Sequence, residues 1–236
     1  ELAVQNKSLS FSQKRRKLSE QKKKKKKASK QNIKTSNPSQ QQISNLLQHY
    51  QNGRFGEAEK LATSIIEEFP KHQFTWKVLG AVLGATGRNS EALGAKQTAV
   101  ALFPQDAESH SNLGATLQEM GKLEEAEASY TQAISLEPDY AEAHYNLGNT
   151  LEDIGKLDEA EASYRQAIKL KPRFTEAHYN CGNTFKKLGR LDKAEASYKQ
   201  AISLKPDYAE AYSNLGITLK ELGRLEEAEA SYTQAK

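Results

Sequence analysis

The sequence predicts an all-α solenoid made of about six helical hairpins that follow one another along the chain. The first observation is a period of 34 residues, because nearly the same string as Ala141–Pro172 returns in both directions. The second observation is the recurrence of glycine and proline at this interval: Gly53, Gly87, Gly121, Gly155, Gly189 and Gly223, and Pro70, Pro104, Pro138, Pro172 and Pro206. A repeat of this length is typical of stacked helix pairs.

The fourth repeat, Ala141–Pro172, shows why each unit is expected to form two helices. The apolar residues of its two halves are Ala143, Leu147, Leu151 and Ile154, then Ala160, Tyr164, Ala167, Ile168 and Leu170. Their spacing gives each helix one apolar face. Gly155 is expected to end the first helix in the left-handed conformation, and Asp158 to cap the second. Pro172 ends the second helix because it has no backbone N–H.

Small residues indicate where the two helices of a hairpin cross. Gly148 on the first helix and Ala160 on the second are short enough to let the helices approach, with Tyr164 filling the space around them. In the second repeat, Lys96 stands where later repeats have tyrosine. No single hairpin can bury both of its apolar faces, so neighbouring hairpins are expected to stack.

These residues resemble the tetratricopeptide repeat (TPR) pattern. In the fourth repeat its signature places hold Leu147, Gly148, Leu151, Ala160, Tyr164, Ala167 and Pro172. The second repeat has the family's tryptophan, Trp76, whereas the first lacks the Leu-Gly pair. The resemblance implies a right-handed superhelical solenoid over residues 39–236, with repeats at 39–70, 73–104, 107–138, 141–172, 175–206 and a truncated 209–236.

The N-terminal segment, residues 1–38, differs from the repeats in charge. It holds 13 Lys or Arg, among them Lys22–Lys27, against Glu1 and Glu20, a net charge of +11, whereas residues 39–236 carry −7. So little apolar surface cannot support a fold, and we expect a disordered Lys-rich tail. Its basic runs are compatible with a nuclear address, with a contact to nucleic acid or an anionic membrane, or with no dedicated partner.

Other features concern the cellular compartment. No apolar run is long enough for a signal peptide or a transmembrane helix. The single cysteine, Cys181, replaces a core leucine of other repeats and fits a reducing compartment. These features predict a cytoplasmic protein, or a nuclear one if the organism has a nucleus. The start at Glu1 and the sixth repeat ending inside its second helix indicate a fragment of a longer protein.

Three histidines at the repeat interval, His110, His144 and His178, invite a metal-binding hypothesis. Trp76 and Tyr212, which are not zinc ligands, occupy the same place in other repeats, and a fourth ligand is missing. We therefore expect packing roles for these histidines, and no metal or cofactor. No nucleophile–base pair or phosphate-binding loop is recognisable, so the sequence predicts no catalytic residue.

Asparagine forms the repeated pattern that bears most on function. Candidate peptide-binding residues are Asn112, Asn146, Asn180 and Asn214 at one position of the first helix, Asn149 and Asn183 one turn further on, and Tyr145 and Tyr179 beside them. Asparagine donates and accepts hydrogen bonds but is a mediocre helix former, which favours a role in holding the backbone of an extended peptide. The alternative is that these side chains bridge neighbouring repeats or are solvated.

The family resemblance separates two modes of ligand binding. The carboxylate clamp for chaperone tails requires basic residues at places that here hold Tyr145, Glu210 and Asn214. The asparagine ladder instead resembles the TPR superhelix of O-GlcNAc transferase, in which such asparagines hold peptide backbone. The resemblance implies a non-catalytic scaffold that binds a protein or peptide in its concave groove. The alternative is a substrate-recruiting arm of a larger transferase whose catalytic domain is not in this chain.

Overall fold

The computed structural model describes residues 37–235, which form helices joined by turns, without strands. The helices are α1 Gln40–Gln51, α2 Phe55–Glu68, α3 Gln73–Ala85, α4 Asn89–Leu102, α5 Ala107–Glu119, α6 Leu123–Leu136, α7 Ala141–Ile154, α8 Leu157–Leu170, α9 Thr175–Lys187, α10 Leu191–Leu204, α11 Ala209–Glu221 and α12 Leu225–Gln234. Odd-numbered helices open the hairpins and even-numbered helices close them. The predicted all-α solenoid is therefore confirmed. The disorder predicted for the tail falls on residues 1–36, outside the described residues.

A glycine in the left-handed conformation follows each first helix and reverses the chain. Gly155 has a φ of 90°, and its backbone N–H donates to the carbonyl oxygen of Glu152 at 3.0 Å. Glycine adopts this conformation at little cost because it has no Cβ. The helix end predicted at Gly155 is confirmed, and α8 begins only two residues later, at Leu157.

The cap predicted for the second helix is wrong. Lys156, whose side chain makes no capping hydrogen bond, stands at the N-cap of α8, and Asp158 lies within the first turn. The turn is so tight that helical geometry is established one residue before Asp158. The Asp158 carboxylate instead accepts a hydrogen bond of 2.9 Å from Arg190 in the next repeat. Its charge near a helix N-terminus is also favourable for the helix dipole.

A glycine and a tyrosine set the separation of the two helices in most hairpins. Tyr164 of α8 is completely buried, and a Cβ added at Gly148 of α7 would lie 2.6 Å from its ring. The corresponding pairs are Gly114–Tyr130, Gly182–Tyr198 and Gly216–Tyr232. In the second hairpin the side chain of Lys96 lies beneath Gly80 instead. The close crossing predicted at Gly148 is thus present, with the tyrosine ring filling the space opposite it.

Each hairpin buries its remaining apolar surface against the next hairpin. Every helix packs against the helices that precede and follow it in sequence. Successive first helices also approach one another, whereas successive second helices make no comparable contact within residues 37–235. The first helices therefore line the inner side of the stack. Between α3 and α5 this approach includes an ion pair of Lys77 with Glu108.

Ion pairs on the outer side link successive repeats. The cation in the turn of one repeat contacts a glutamate on the second helix of the preceding repeat, as in Arg88–Glu59, Lys156–Glu127, Arg190–Glu161 and Arg224–Glu195. Pairs with this much solvent exposure contribute only about 0–1 kcal/mol each. At the junction of the second and third repeats Leu93 takes the place of the glutamate, and Lys122 pairs with Glu125 of its own helix. That junction therefore lacks the outer cross-link.

The helices are short throughout the described part of the chain. They have between 10 and 14 residues, as in α12 and α8. No helix within residues 37–235 is long and apolar enough to cross a lipid bilayer.

Adding one methyl group at Gly148 is expected to destabilise the array. The Gly148→Ala change places a Cβ against the buried Tyr164 ring, and overpacking of this kind costs about 1–3 kcal/mol. The matched control is Gly94→Ala, because Gly94 also lies inside a helix but has open space around its Cβ position. The control should be stabilised by about 0.5–1 kcal/mol. Denaturant unfolding measures both changes, and equal stability of the two variants would contradict the packing argument.

Candidate functional site

The asparagine ladder lies on the first helices, which line the inner side of the stack. Its main positions are Asn112 on α5, Asn146 on α7, Asn180 on α9 and Asn214 on α11, with Asn149 and Asn183 one turn further along α7 and α9. All six residues are half-buried. Their hydrogen bonds divide the four main positions into two kinds.

Asn180 is bonded to the repeat that precedes it. Its Nδ2 donates to the Tyr145 hydroxyl at 3.1 Å and to Oδ1 of Asn149 at 2.9 Å. The same Asn149 oxygen also accepts from the Tyr164 hydroxyl at 2.7 Å. A side-chain amide has two N–H donors, so both donors of Asn180 are used. Asn180 therefore cross-links α9 to α7.

Asn214 repeats this arrangement one junction later. Its Nδ2 donates to the Tyr179 hydroxyl at 2.9 Å and to Oδ1 of Asn183 at 3.0 Å. The Tyr198 hydroxyl donates to the same Asn183 oxygen at 2.8 Å. The network is therefore a regular feature of the junctions between repeats four, five and six.

Tyr145 and Tyr179 also pack against the following repeat. The ring centroid of Tyr145 lies 4.7 Å from that of Phe174, and the ring centroid of Tyr179 lies 4.9 Å from that of Tyr208. Aromatic pairs at these separations attract one another beyond the effect of buried area. These two tyrosines thus take part in joining repeats, in addition to any contact with a ligand.

Asn112 and Asn146 have no such bridge. The places of Tyr145 and Asn149 are held by Ser111 and Ala115 in the repeat before Asn146, and by Lys77 and Ala81 in the repeat before Asn112. None of these can reproduce the tyrosine–asparagine pair. The side-chain amides of Asn112 and Asn146 have no hydrogen-bond partner within residues 37–235, and neither is shut off from solvent.

A short sequence string distinguishes the bridged from the unbridged asparagines, although both recur at the same 34-residue interval. The string Tyr-Asn-x-x-Asn occurs in the fourth repeat, at Tyr145–Asn149, and in the fifth, at Tyr179–Asn183. A bridge needs this string in the preceding repeat, so only the asparagines of repeats five and six find partners. The Asn180 and Asn214 bridges match the alternative that the sequence left open, in which asparagine joins neighbouring repeats.

The bridged asparagines retain one unused acceptor. Oδ1 of Asn180 and Oδ1 of Asn214 accept no hydrogen bond from residues 37–235. The one buried side-chain polar atom without a partner in that range is Nδ1 of His49, so solvent reaches both asparagine oxygens. Asn180 and Asn214 can therefore accept from a ligand, whereas Asn112 and Asn146 can both donate and accept.

A shallow depression lies beside the bridged part of the ladder. It is lined by Glu152, Asn183, Lys186, Lys187, Asn214 and Glu221. Glu152 accepts from Nζ of Lys187 at 2.7 Å, and its other carboxylate oxygen lies 3.0 Å from the Tyr164 hydroxyl, whose single hydrogen it shares with the nearer Oδ1 of Asn149. Burial, together with the nearby charge of Glu152, raises the pKa of Tyr164. The tyrosine hydroxyl therefore stays protonated and remains a donor in the network.

The three histidines stabilise the turns between repeats. Nε2 of His110, His144 and His178 donates to the carbonyl oxygen of the preceding Pro104, Pro138 or Pro172 at 2.9–3.0 Å. The Trp76 indole N–H does the same to Pro70 at 2.9 Å, which explains why tryptophan and histidine share this place. Within residues 37–235 no three potential ligands are placed together to hold a metal ion.

Cys181 is a buried apolar side chain, as its place in the repeat predicts. It is 1 % exposed, and burial raises the pKa of its thiol to about 12. The thiol is therefore neutral at physiological pH.

Comparison with known protein families identifies the repeats. Family models described as "Tetratricopeptide repeat" and "TPR repeat" match residues 112–173 and 182–223. These segments contain the asparagine ladder from Asn112 to Asn214. No curated protein sequence matches the chain.

Several solved structures share the fold. The crystal structure of MamA superposes with a TM-score of 0.64 at 27 % identity, covering 66 % of this chain and 92 % of MamA. YrrB is described as a TPR protein with an unusual peptide-binding site. It superposes with a TM-score of 0.64 at 22 % identity, covering 74 % of this chain and 90 % of YrrB. PilW is described as a type IV pilus biogenesis factor. It superposes with a TM-score of 0.74 at 20 % identity, covering 84 % of this chain and 93 % of PilW.

The two kinds of asparagine should differ in their effect on stability. In the double variant Asn180→Ala/Asn214→Ala, four hydrogen bonds between repeats are lost, each worth about 0.5–1.5 kcal/mol net. The matched control Asn112→Ala/Asn146→Ala removes no such bond, and alanine is the better helix former. Thermal unfolding should show a lower Tm for the first variant and an unchanged or higher Tm for the second. An equal fall in Tm in the two variants would contradict the division into bridged and unbridged asparagines.

Proposed function

Because this chain is a tetratricopeptide-repeat protein, we propose that it is a non-catalytic scaffold that binds an extended peptide along the inner side of its stack. The observation that carries the proposal is the pair of unbridged amides on neighbouring first helices, Asn112 and Asn146. The peptide-binding site in the description of YrrB, which shares the fold, is in keeping with this function.

Peptide backbone matches the hydrogen-bonding capacity of these amides. Each peptide unit offers one N–H donor and one C=O acceptor, and an unbridged asparagine can serve both. Packed helices lie about 8–10 Å apart, and an extended chain advances about 3.3 Å per residue. Successive ladder positions would therefore contact peptide units about three residues apart, with few demands on the side chains between them.

Asn180 and Asn214 have a more limited part in this proposal. Their N–H donors are held by the preceding repeat, so only Oδ1 is available to accept a peptide N–H. Asn149, Asn183, Tyr145 and Tyr179 then act mainly by fixing the orientation of these two amides. Because a preorganised acceptor loses little entropy on binding, the bridged positions form a rigid continuation of the groove.

Substituting the unbridged asparagines should weaken peptide binding without affecting the fold. Peptides of twelve residues are first selected from a displayed random library with the unmodified chain. Their affinities for Asn112→Ala/Asn146→Ala are then measured by fluorescence polarisation. Loss of two to four net hydrogen bonds, each about 0.5–1.5 kcal/mol, predicts a fall of about tenfold or more across unrelated peptides.

The structural control for this experiment is the thermal unfolding of the same variant, which should not shift downward. Asn180→Ala/Asn214→Ala serves as the second control and should lower Tm as well as affinity. Unchanged affinities in the Asn112→Ala/Asn146→Ala variant would rule out the unbridged amides as the peptide-binding groups.

The alternative function, a substrate-recruiting arm of a larger transferase, would use the same groove for the same kind of contact. The two functions differ only in whether a catalytic domain belongs to the same polypeptide. The full-length coding sequence distinguishes them directly.

The Lys-rich segment is proposed as a second, independent contact. Its net charge of +11 over residues 1–38 favours polyanions such as RNA or anionic lipid. Replacing Lys22–Lys27 with glutamine in the full chain should weaken binding to poly(U) RNA and reduce its salt dependence, because fewer counterions are released. Binding that is unaffected by this replacement or by salt, measured by filter retention, would contradict the proposal.

A further inference from the structure

The junction between the second and third repeats contains a lysine where other repeats have tyrosine. Lys96 lies beneath Gly80, as Tyr164 lies beneath Gly148, and its Nζ donates to Oγ1 of Thr116 on α5. Burial lowers the pKa of Lys96, and the charge of Glu119 partly opposes this effect. No carboxylate within residues 37–235 lies at ion-pair distance from this ammonium group.

The neighbouring junctions show what is missing around Lys96. Between repeats four and five, Oδ1 of Asn149 accepts from two donors, the Tyr164 hydroxyl and the Asn180 amide. Between repeats two and three, Ala81 stands in the place of the acceptor Asn149. Lys96 and Asn112 stand in the places of the two donors, Tyr164 and Asn180. Both donors are therefore retained while the acceptor oxygen is lost. An ammonium group has three N–H donors, and Thr116 accepts only one of them.

A small residue leaves open space on the inner side of this junction. Gly84 stands where the fourth repeat has Glu152, and a Cβ added at Gly84 would meet no atom within 4 Å. α3 and α5 are joined by polar contacts away from Gly84, since Lys77 pairs with Glu108 and Gln73 donates to the Ser109 hydroxyl. The outer ion pair is absent here, because Leu93 replaces the glutamate.

We infer that Lys96 and Asn112 form a subsite for a carboxylate group of the bound peptide. One carboxylate oxygen would occupy the place that Oδ1 of Asn149 fills between repeats four and five, accepting from both side chains. This inference rests on the proposed peptide-binding function and adds to it the chemical class of one ligand group.

A carboxylate suits this position better than a neutral oxygen. One of the two donors is a cation, and hydrogen bonds between charged partners are the stronger and shorter ones. A partly desolvated ammonium group without a counterion is unfavourable, so a ligand that brings the negative charge gains most here. The subsite differs from the chaperone-type clamp, because the lysine at the clamp's basic position in this repeat, Lys77, is already paired with Asp106 and Glu108.

The junction between repeats three and four provides the contrast within the same groove. There Ala115 takes the acceptor place, and the donors are the Asn146 amide and the Tyr130 hydroxyl, whose contact with Gln118 is 3.4 Å. Both of these donors are neutral, so a peptide carbonyl oxygen satisfies them. A ligand is therefore expected to carry its carboxylate about three residues from a backbone contact at Asn146.

The test uses the full chain and random peptides of twelve residues, displayed either with a free C-terminus or fused at both ends. The unmodified chain should enrich Asp or Glu at one position of the fused peptides if a side chain supplies the carboxylate. Enrichment confined to the free-ended library would assign it to the peptide C-terminus. Either pattern supports the subsite.

Two substitutions at Lys96 then test its role. Lys96→Met keeps the aliphatic stem without the charge, and Lys96→Tyr restores the residue of the other repeats. Both should abolish the acidic enrichment and weaken the selected peptides about tenfold or more, as expected for the loss of a charge-assisted hydrogen bond. The matched control is Lys122→Met, since Lys122 pairs with Glu125 on the outer side and should not affect binding.

The outcomes separate this inference from the proposed function. The carboxylate subsite is wrong if the selected peptides show no enrichment of acidic residues. It is also wrong if their affinities for both Lys96 variants lie within about twofold of the affinity for the unmodified chain. Either result leaves the scaffold proposal unaffected. If the unmodified chain selects no peptide from either library, both proposals fail. Thermal unfolding of the two Lys96 variants checks that each is folded, and Lys96→Tyr provides the second variant if one is not.

Discussion

The structure depends on the need of every hairpin to be covered by its neighbour. Within a hairpin, the glycine–tyrosine crossing brings two helices together, as at Gly148 and Tyr164. That crossing buries one apolar face of each helix and leaves the others for the adjacent repeat. The junctions between repeats therefore determine both the stability of the array and the chemistry of its inner side.

The asparagine ladder shows how a junction can change the role of one residue. Asn146 and Asn180 occupy the same helical position, yet only Asn180 finds a tyrosine hydroxyl and an asparagine oxygen in the repeat before it. Its amide N–H groups are thereby fixed, and only its oxygen faces outward. Asn146 keeps all of its hydrogen-bonding capacity. One inner side thus combines a rigid section with a section whose amides are available to a ligand.

The junction of the second and third repeats departs from the others in several places at once. On the inner side the fourth repeat's Tyr164, Asn149 and Glu152 are replaced by Lys96, Ala81 and Gly84. On the outer side Leu93 stands in place of a glutamate, so an ion pair is missing. Each change alone would be an ordinary irregularity of a repeat. Together they leave the Asn112 amide without a hydrogen-bond partner in residues 37–235 and the Lys96 ammonium group with Thr116 as its one acceptor in that range. A half-buried cation without a counterion is unfavourable, and the carboxylate subsite proposed above would supply the missing partner.

The sequence alone determined the fold, because the 34-residue period and the alternation of helical faces are local properties that allow few architectures. The glycine ends of the first helices and the buried places of Tyr164 and Cys181 follow from the same period. Tertiary structure decided which asparagines are bridged, since Asn180 obtains its partners from residues 31 and 35 positions earlier. It also showed that Asp158 pairs with Arg190 instead of capping α8, because the tight turn establishes helical geometry one residue before it. A repeat period predicts which positions are equivalent, but the hydrogen bonds of each position depend on the side chains that stacking brings beside it.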